Sequence, residues 1–172
     1  MDLQSPGFSA MLDYRHESPK IRALCKQVMS ESGHPPFDYA KAACWLAYRA
    51  LETSDFLHLG EAAAALEKAL PHLLGLPREA CTEAQLYRRA GYLGSVQMAH
   101  AYVLIRLEQD ARPVLRGLSS LDLISDNCQA GVNVCRSQAL LAAAEAKHAN
   151  YAHAARALDH CHAAFRLGAS TF

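Results

Sequence analysis

The chain has 172 residues, of which 51% are hydrophobic, and its 17 basic residues balance its 17 acidic ones. A chain of this length buries roughly 70% of the surface it would expose when unfolded, which is enough for a single domain without disulfides or a metal. A neutral chain lacks the basic surplus of nucleic-acid-binding proteins, and charge or proline breaks its apolar stretches within about ten residues, too soon to cross a bilayer. We therefore expect neither nucleic acid nor membrane among its partners.

The cysteines are scattered along the chain and include no C-x-x-C pair. The first residues lack the long apolar run of a secretory signal, so we expect a cytoplasmic protein with reduced cysteines. Cys128 and Cys135 lie seven residues apart on a predicted helix, and that spacing puts their Cα atoms about 10 Å apart, beyond the reach of a disulfide. The six cysteines are Cys25, Cys44, Cys81, Cys128, Cys135 and Cys161.

The first predicted element after a loose arm is a helix. Residues 1–17 mix glycine, proline and charge without periodicity, whereas residues 18–172 read as one all-α domain. The stretch "SPKIRALCKQVMSES" carries an apolar residue every three or four positions. Ser18 suits its N-cap, Pro19 suits its first helical position, and Gly33 follows its end.

Two further helices follow, "FDYAKAACWLAYRALET" and "FLHLGEAAAALEKALPHLLGL", with the break "TSD" between them. Both keep a single apolar stripe at helical spacing, and Trp45 is interpreted as a core residue of the first. Proline removes a backbone donor and clashes with the preceding turn, so Pro71 and Pro77 are predicted to end the second.

A fourth helix is predicted from Thr82 to about Gln109. Thr82 and Gln85 have the spacing of a capping box. Gly91 and Gly94 permit a bend or a close crossing with another helix, because neither carries a Cβ. His100 falls on the apolar stripe and is interpreted as a hydrogen-bonded core histidine.

The last part of the chain predicts three more helices. Asp110 opens a short one around "ARPVLRGLSSLDLI", and Asp126 caps the next, "NCQAGVNVCRSQALLAAAEAKHA". After a break at Asn150, the helix "YAHAARALDHCHAAFRL" runs to Gly168. No stretch alternates like a β-strand, so the predicted fold class is all-α, with about seven helices in antiparallel hairpins.

The final hairpin has a specific arrangement of small and large apolar residues. A leucine–alanine pair lies in its first helix, and aromatic, small, large and small residues follow one another in its second, which places Cys161 and Phe165 on the core side. This hairpin resembles the tetratricopeptide repeat (TPR), a 34-residue helix–turn–helix unit. The residues that carry the resemblance are Leu141, Ala142, Tyr151, Ala154, Leu158 and Cys161.

The resemblance implies a TPR-like α-solenoid in which small residues lie where the two helices of a hairpin cross. The chain departs from the repeat pattern at Glu145, where the family usually has an aromatic residue, and at Gln138, where tryptophan is common. The earlier hairpins fit the pattern less closely. A compact helical bundle is therefore the alternative fold.

The resemblance also implies a non-enzymatic scaffold or adaptor that binds a peptide or helix of another protein. In a solenoid, the first helices of the hairpins line a groove for such a ligand. Phosphate-loop and nucleophile-elbow motifs are absent from the sequence, so we expect no catalysis and no cofactor. The predicted peptide-binding residues are Tyr48, Arg49, Tyr87, Arg88, Tyr92 and Gln138.

The alternative function is a helical-bundle metal protein or enzyme that uses Glu145, His148, His153 and His160. Glu145 and His148 have the E-x-x-H spacing of di-iron bundles. However, His153 and His160 lie two turns apart, about 10 Å along the helix axis, whereas ligands from one helix need a spacing of three or four residues. We therefore expect these histidines on the surface, with no metal bound.

Overall fold

In the computed structural model, residues 19–118 and 122–170 are described, and the predicted arm, residues 1–17, lies outside them. These ranges contain eight α-helices, one short 3-10 helix (Arg78–Ala80) and no strand, which confirms the all-α fold class. The α-helices are α1 (Pro19–Ser30), α2 (Pro36–Thr53), α3 (Phe56–Leu74), α4 (Glu83–Arg106), α5 (Arg112–Gly117), α6 (Asp122–Asp126), α7 (Cys128–Lys147) and α8 (Tyr151–Ser170).

The start of α4 is fixed by the predicted capping box. The Gln85 backbone N–H donates to Thr82 Oγ1 at 3.3 Å, and the Thr82 N–H donates to Gln85 Oε1 at 2.9 Å. These two bonds satisfy donors that the first turn of a helix otherwise leaves unpaired. The helix ends at Arg106, three residues before the predicted end, and Glu108 then adopts a positive φ of 58°.

Three helix ends differ from the sequence predictions. Helix α3 continues through Pro71 to Leu74, because a proline in the last turn removes only one backbone hydrogen bond. Likewise α8 passes Gly168 and ends at Ser170. The predicted fifth helix is two short helices, α5 and α6, and Asp126 ends α6 instead of capping α7.

Helices α2 and α4 lie side by side and run in the same direction. The rings of Phe37, at the start of α2, and Tyr92, near the middle of α4, are 5.1 Å apart. Near the ends of both helices, Arg106 donates a hydrogen bond to Ser54 Oγ. Helix α3 returns antiparallel to α2 and packs against both α2 and α4, while α1 covers α2.

Helix α7 continues this row on the other side of α4, and two glycines of α4 allow it to come close. A Cβ at Gly94 would lie 3.0 Å from Asn133 Nδ2 and 3.2 Å from Asn133 Cβ, and one at Gly91 would lie 3.0 Å from Asn127 Nδ2. Such distances are shorter than ordinary packing contacts, so the predicted close crossing is confirmed. From one of these contacts to the other, the residue number rises in both segments, from Gly91 to Gly94 and from Asn127 to Asn133. Helices α4 and α7 are therefore also parallel.

The main core is built around α2. Trp45, Phe37 and Tyr39 have no more than 1% of their surface exposed, and they pack with apolar residues of α1, α3 and α4. A second, smaller cluster joins α4, α5, α7 and α8. Its buried members are Ala101, Leu104, Ala111, Leu115, Leu141, Ala142 and Ala157.

The hairpin of α7 and α8 crosses at small residues, as predicted, and Ala142 and Ala154 are buried there. The prediction for the large apolar residues of α8 is wrong, since Tyr151 is 71% exposed, Leu158 56% and Phe165 67%. Alanines at the crossing let the helix backbones approach closely, and this close approach leaves no room for large side chains between them. The helix therefore turns its large residues outward.

His100 of α4 is buried, as predicted, with 6% of its surface exposed. The predicted hydrogen bond is not made by its Nε2, which has no partner among the described residues and lies 3.8 Å from a carboxylate oxygen of Glu67. Burial lowers the pKa of His100, and the Glu67 carboxylate opposes this shift. A buried donor or acceptor without a partner costs about 1–3 kcal/mol.

Replacing His100 with methionine should therefore raise the free energy of unfolding by about 1 kcal/mol at neutral pH. The folded protein binds the His100 proton more weakly than the unfolded chain does, so wild-type stability should fall as the pH drops below about 6.5. The variant should lose that part of the pH dependence. Urea unfolding followed by circular dichroism at about pH 7.5 and about pH 5.5 measures both effects. His162→Met, at an exposed histidine, is the control; an unchanged pH dependence in His100→Met would contradict the assignment.

Candidate functional site

Aromatic and cationic side chains of α2, α4 and α7 lie near enough to affect one another's ionisation at two neighbouring places. We call this surface the α2–α4–α7 face. Because the three helices are parallel neighbours, side chains at corresponding heights come together across them. Its residues are Lys41 and Tyr48 of α2, Arg88, Tyr92 and Tyr102 of α4, and Arg136 of α7.

At one end of the face, two cations lie near each other. Burial lowers the pKa of Lys41, the Arg88 guanidinium lowers it further, and the Asp38 carboxylate opposes both effects. Asp38 is only 1% exposed, whereas Lys41 is half-buried and Arg88 is exposed. Tyr92 lies between this end and the middle of the face, where burial raises its pKa to about 12.

At the other end, the three helices converge on Tyr48. Burial raises the pKa of Tyr48, Cys44 and Tyr102 raise it further, and the positive charge of Arg136 acts in the opposite direction. Tyr102 of α4 and Arg136 of α7 therefore lie near enough to Tyr48 to affect the ionisation of its hydroxyl. Tyr48 is 43% exposed and Tyr102 39% exposed, and Arg136 is exposed as well. This end therefore offers two accessible rings beside a guanidinium group.

The structure brings three of the six predicted peptide-binding residues, Tyr48, Arg88 and Tyr92, onto this face. Arg49 is only 8% exposed, and its Nη1 donates to Glu52 Oε2 at 2.6 Å. Its Nε is buried without a hydrogen-bond partner among the described residues.

Gln138 is buried rather than exposed in a groove, whereas the Tyr87 side chain is exposed. Gln138 is 2% exposed, and its amide donates to the carbonyl oxygen of Leu118 at 3.1 Å. Tyr87 is 44% exposed, while its backbone carbonyl accepts a hydrogen bond from Asn127. Gln138 therefore joins α7 to the chain after α5, and any contact of these residues with a ligand stays a prediction.

Sequence reasoning missed Lys41, Tyr102 and Arg136. Lys41 is seven residues before Tyr48 on α2, and a seven-residue spacing keeps two side chains on one helix face. Tyr102 lies 14 residues after Arg88, which is close to four whole turns. These spacings are visible in the sequence. Arg136 could not be found in this way, because its position depends on the packing of α7 beside α4.

The residues of the alternative metal site are divided between two cavities. Glu145, His153 and His160 line a pocket of about 210 Å³, whereas His148 lines a separate cavity of about 600 Å³ between α4, α5 and α7. Within residues 19–118 and 122–170, no group of three or more histidine, cysteine, aspartate or glutamate side chains is arranged to hold a metal ion.

Glu145 is only 1% exposed, and its carboxylate has hydrogen-bond and ion-pair partners inside the protein. Asn150 Nδ2 donates to it at 2.9 Å, Arg116 donates to its other oxygen, and Arg112 lies 3.8 Å away. The hydrogen bonds from Asn150 and then Arg116 hold the pKa of Glu145 below its ordinary value. This carboxylate therefore joins α5 to the turn between α7 and α8.

The helices of the described ranges include none with the length and apolar character needed to span a membrane. Comparison of the chain with models of protein families, with curated proteins and with solved structures finds no match. The class that the fold defines is an all-α protein of antiparallel helical hairpins.

Proposed function

We propose that the protein is a TPR-like, non-enzymatic interaction scaffold that binds a peptide or helix of another protein on the α2–α4–α7 face. The observation that carries the proposal is that three parallel helices contribute aromatic and cationic groups to one face, on which Tyr48, Arg88, Tyr102 and Arg136 are exposed. In a helical solenoid, the face formed by the first helices of successive hairpins is the surface available to a ligand. Cytoplasmic localisation is part of the proposal, because the five described cysteines are free thiols, which suit a reducing compartment.

The charges of the face favour an acidic ligand. Lys41, Arg88 and Arg136 contribute three cations, against the buried Asp38 carboxylate that acts on Lys41. A guanidinium group binds a carboxylate through two parallel hydrogen bonds, and tyrosine rings supply contact area with few rotatable bonds. Neighbouring helices lie about 8–10 Å apart, so the face spans roughly 20 Å, the length of about six extended residues. The ligand that fits is a short acidic segment or a C-terminal carboxylate.

The test begins with a library of random peptides that display free C-termini, selected against the purified full chain. We expect enrichment of sequences that combine carboxylates with an aromatic residue. The affinity of a synthetic selected peptide is then measured by calorimetry with the wild type and with the double variant Arg88→Ala/Arg136→Ala. Loss of two charge-assisted pairs, each contributing about 1.5–3 kcal/mol, should weaken binding at least 100-fold.

The matched control is the double variant Arg156→Ala/Arg166→Ala, which removes two exposed arginines of α8 and leaves the face intact. Circular dichroism first establishes that both variants are folded. The control should bind the peptide as tightly as the wild type. Equal binding by all three proteins, or a loss confined to the α8 variant, would show that the α2–α4–α7 face is not the binding site.

A further inference from the structure

Cys135 of α7 and Cys161 of α8 lie against each other across the terminal hairpin. Cys135 Sγ is 3.6 Å from the carbonyl oxygen of Cys161, and Cys161 Sγ is 3.4 Å from the carbonyl oxygen of Cys135. Each thiol therefore contacts the backbone of the other residue. This reciprocal contact requires the two backbones to be close at this point of the crossing.

Both thiols are accessible to small molecules. Cys135 and Cys161 are half-buried, whereas Cys25 and Cys44 are buried in the main core. Cys135 also lines an apolar groove of about 380 Å³ between α7 and α8, whose other walls include Gly131, Ala164 and Gly168. Small side chains along this groove leave a path to the sulfur. An oxidant that cannot enter the core can therefore reach the Cys135 sulfur through this groove.

The geometry suits a bond between the two sulfur atoms. A disulfide needs Cα atoms about 4.4–6.8 Å apart, with the side chains directed toward each other. The alanines of the crossing, Ala142, Ala154 and Ala164, are buried between α7 and α8 and bring the backbones together. Formation of the bond requires the two sulfurs to turn from these carbonyl oxygens toward each other by rotation about the Cα–Cβ bonds. Cys128 and Cys135, by contrast, are two turns apart on one helix, a separation of about 10 Å.

We propose that Cys135 and Cys161 form a reversible intramolecular disulfide when the protein meets a low-molecular-weight disulfide such as oxidised glutathione. The thiolate of one cysteine attacks a sulfur of the oxidant, which forms a mixed disulfide and releases one glutathione thiolate. The second cysteine then attacks the protein-bound sulfur and releases the other glutathione. The two cysteines are oxidised, the oxidant is reduced to two thiols, and the two cysteine protons end on the released glutathione or in solvent.

The bond would link the two helices of the terminal hairpin about midway along each. Burial raises the pKa of Cys135, and the neighbouring Cys161 raises it further. Since the thiolate is the attacking form, oxidation at neutral pH is slow and speeds up at alkaline pH. Arg136 of the α2–α4–α7 face directly follows Cys135, so the link also fixes the part of α7 that contributes to this face. The disulfide does not depend on the proposed binding function.

The experiment exposes the folded full chain to oxidised glutathione, quenches it with acid, alkylates the remaining thiols and measures the intact mass. We expect the loss of two hydrogens, two fewer alkylated thiols than in the reduced protein, and reversal by dithiothreitol. Trypsin should then yield peptide 117–136 linked to peptide 157–166. Peptide 117–136 contains both Cys128 and Cys135, so the same digest of Cys128→Ser assigns the bond.

Three variants complete the test. The disulfide should form in Cys128→Ser and in Cys81→Ser, where Cys81 is another half-buried thiol. It should be absent from Cys135→Ser, which keeps a side chain of nearly the same size and is checked for folding by circular dichroism. The proposal is overturned if the wild type stays fully reduced, if it stops at the mixed disulfide, or if the bond survives in Cys135→Ser.

Discussion

Replacing Trp45 with alanine should lower the free energy of unfolding by about 3–5 kcal/mol, the usual cost of deleting a large aromatic side chain from a core. Trp45 has none of its surface exposed and is among the largest fully buried side chains of the described ranges. It lies on α2, which packs against α1, α3 and α4. The cavity left behind would therefore be lined by several helices, and none of them can move inward without losing other contacts.

Urea unfolding followed by circular dichroism measures this loss; fluorescence cannot, because Trp45 is the only tryptophan of the chain. Phe56→Ala is the matched control, since Phe56 is an aromatic residue of the neighbouring helix α3 with 68% of its surface exposed. Its loss should cost less than about 0.5 kcal/mol. Equal costs for the two variants would mean that α2 is not the centre of the core.

Replacing Ala154 with leucine should lower the free energy of unfolding by about 1–3 kcal/mol, because the crossing of α7 and α8 has no space for three more carbon atoms. Ala154 is 8% exposed and Ala142 5% exposed where the two helices meet. A leucine there must push α8 away from α7 or adopt a strained rotamer. Either response loses contacts along the hairpin.

The adjacent residue supplies the comparison, because His153 is exposed. His153→Ala should change the free energy of unfolding by less than about 0.5 kcal/mol. Both variants are measured by urea unfolding under the same conditions. A large cost for His153→Ala together with a negligible one for Ala154→Leu would mean that the helix faces have been assigned the wrong way round.

Local signals along the chain were enough to predict most helices. The capping box of Thr82 and Gln85 and the N-terminal Pro19 mark helix starts through bonds made within a few residues. The end of α3 was missed because the effect of Pro71 depends on its position in the helix: near the end it removes one bond and the helix continues. The short helices α5 and α6 carry too few turns for an apolar period to separate them.

The faces of α8 were harder to predict, and the reason is its alanine content. When alanine is counted as apolar, this helix has two apolar groups of residues. One consists of Ala154, Ala157 and Ala164 and the other of Tyr151, Leu158 and Phe165. The structure shows that the first group is buried and the second is exposed. Periodicity cannot decide which side faces α7, because the choice depends on how closely the partner helix approaches.

The candidate face was predicted in part, and the limit is again one of distance along the chain. Tyr48, Arg88 and Tyr92 were recognised as aromatic and cationic residues of first helices. The burial of Arg49 and Gln138 follows from contacts with Glu52 and with the chain near Leu118, and the second of these spans 20 residues. The Cys135–Cys161 contact spans 26 residues and leaves no trace in local spacing.

The alanine-rich crossing also determines how the molecule opens. Alanine buries little apolar surface, so each turn of α8 gains less from the hydrophobic effect than a turn of α2 around Trp45. Helix α8 packs chiefly against α7, and it joins the rest of the chain through contacts with α6, Ala157 of the smaller core cluster and Ala164 of the main one. Partial unfolding that releases α8 alone therefore requires less free energy than global unfolding. We therefore expect the amide protons of α8 to exchange with solvent through this partial opening while Trp45 stays buried, so that tryptophan emission does not detect it.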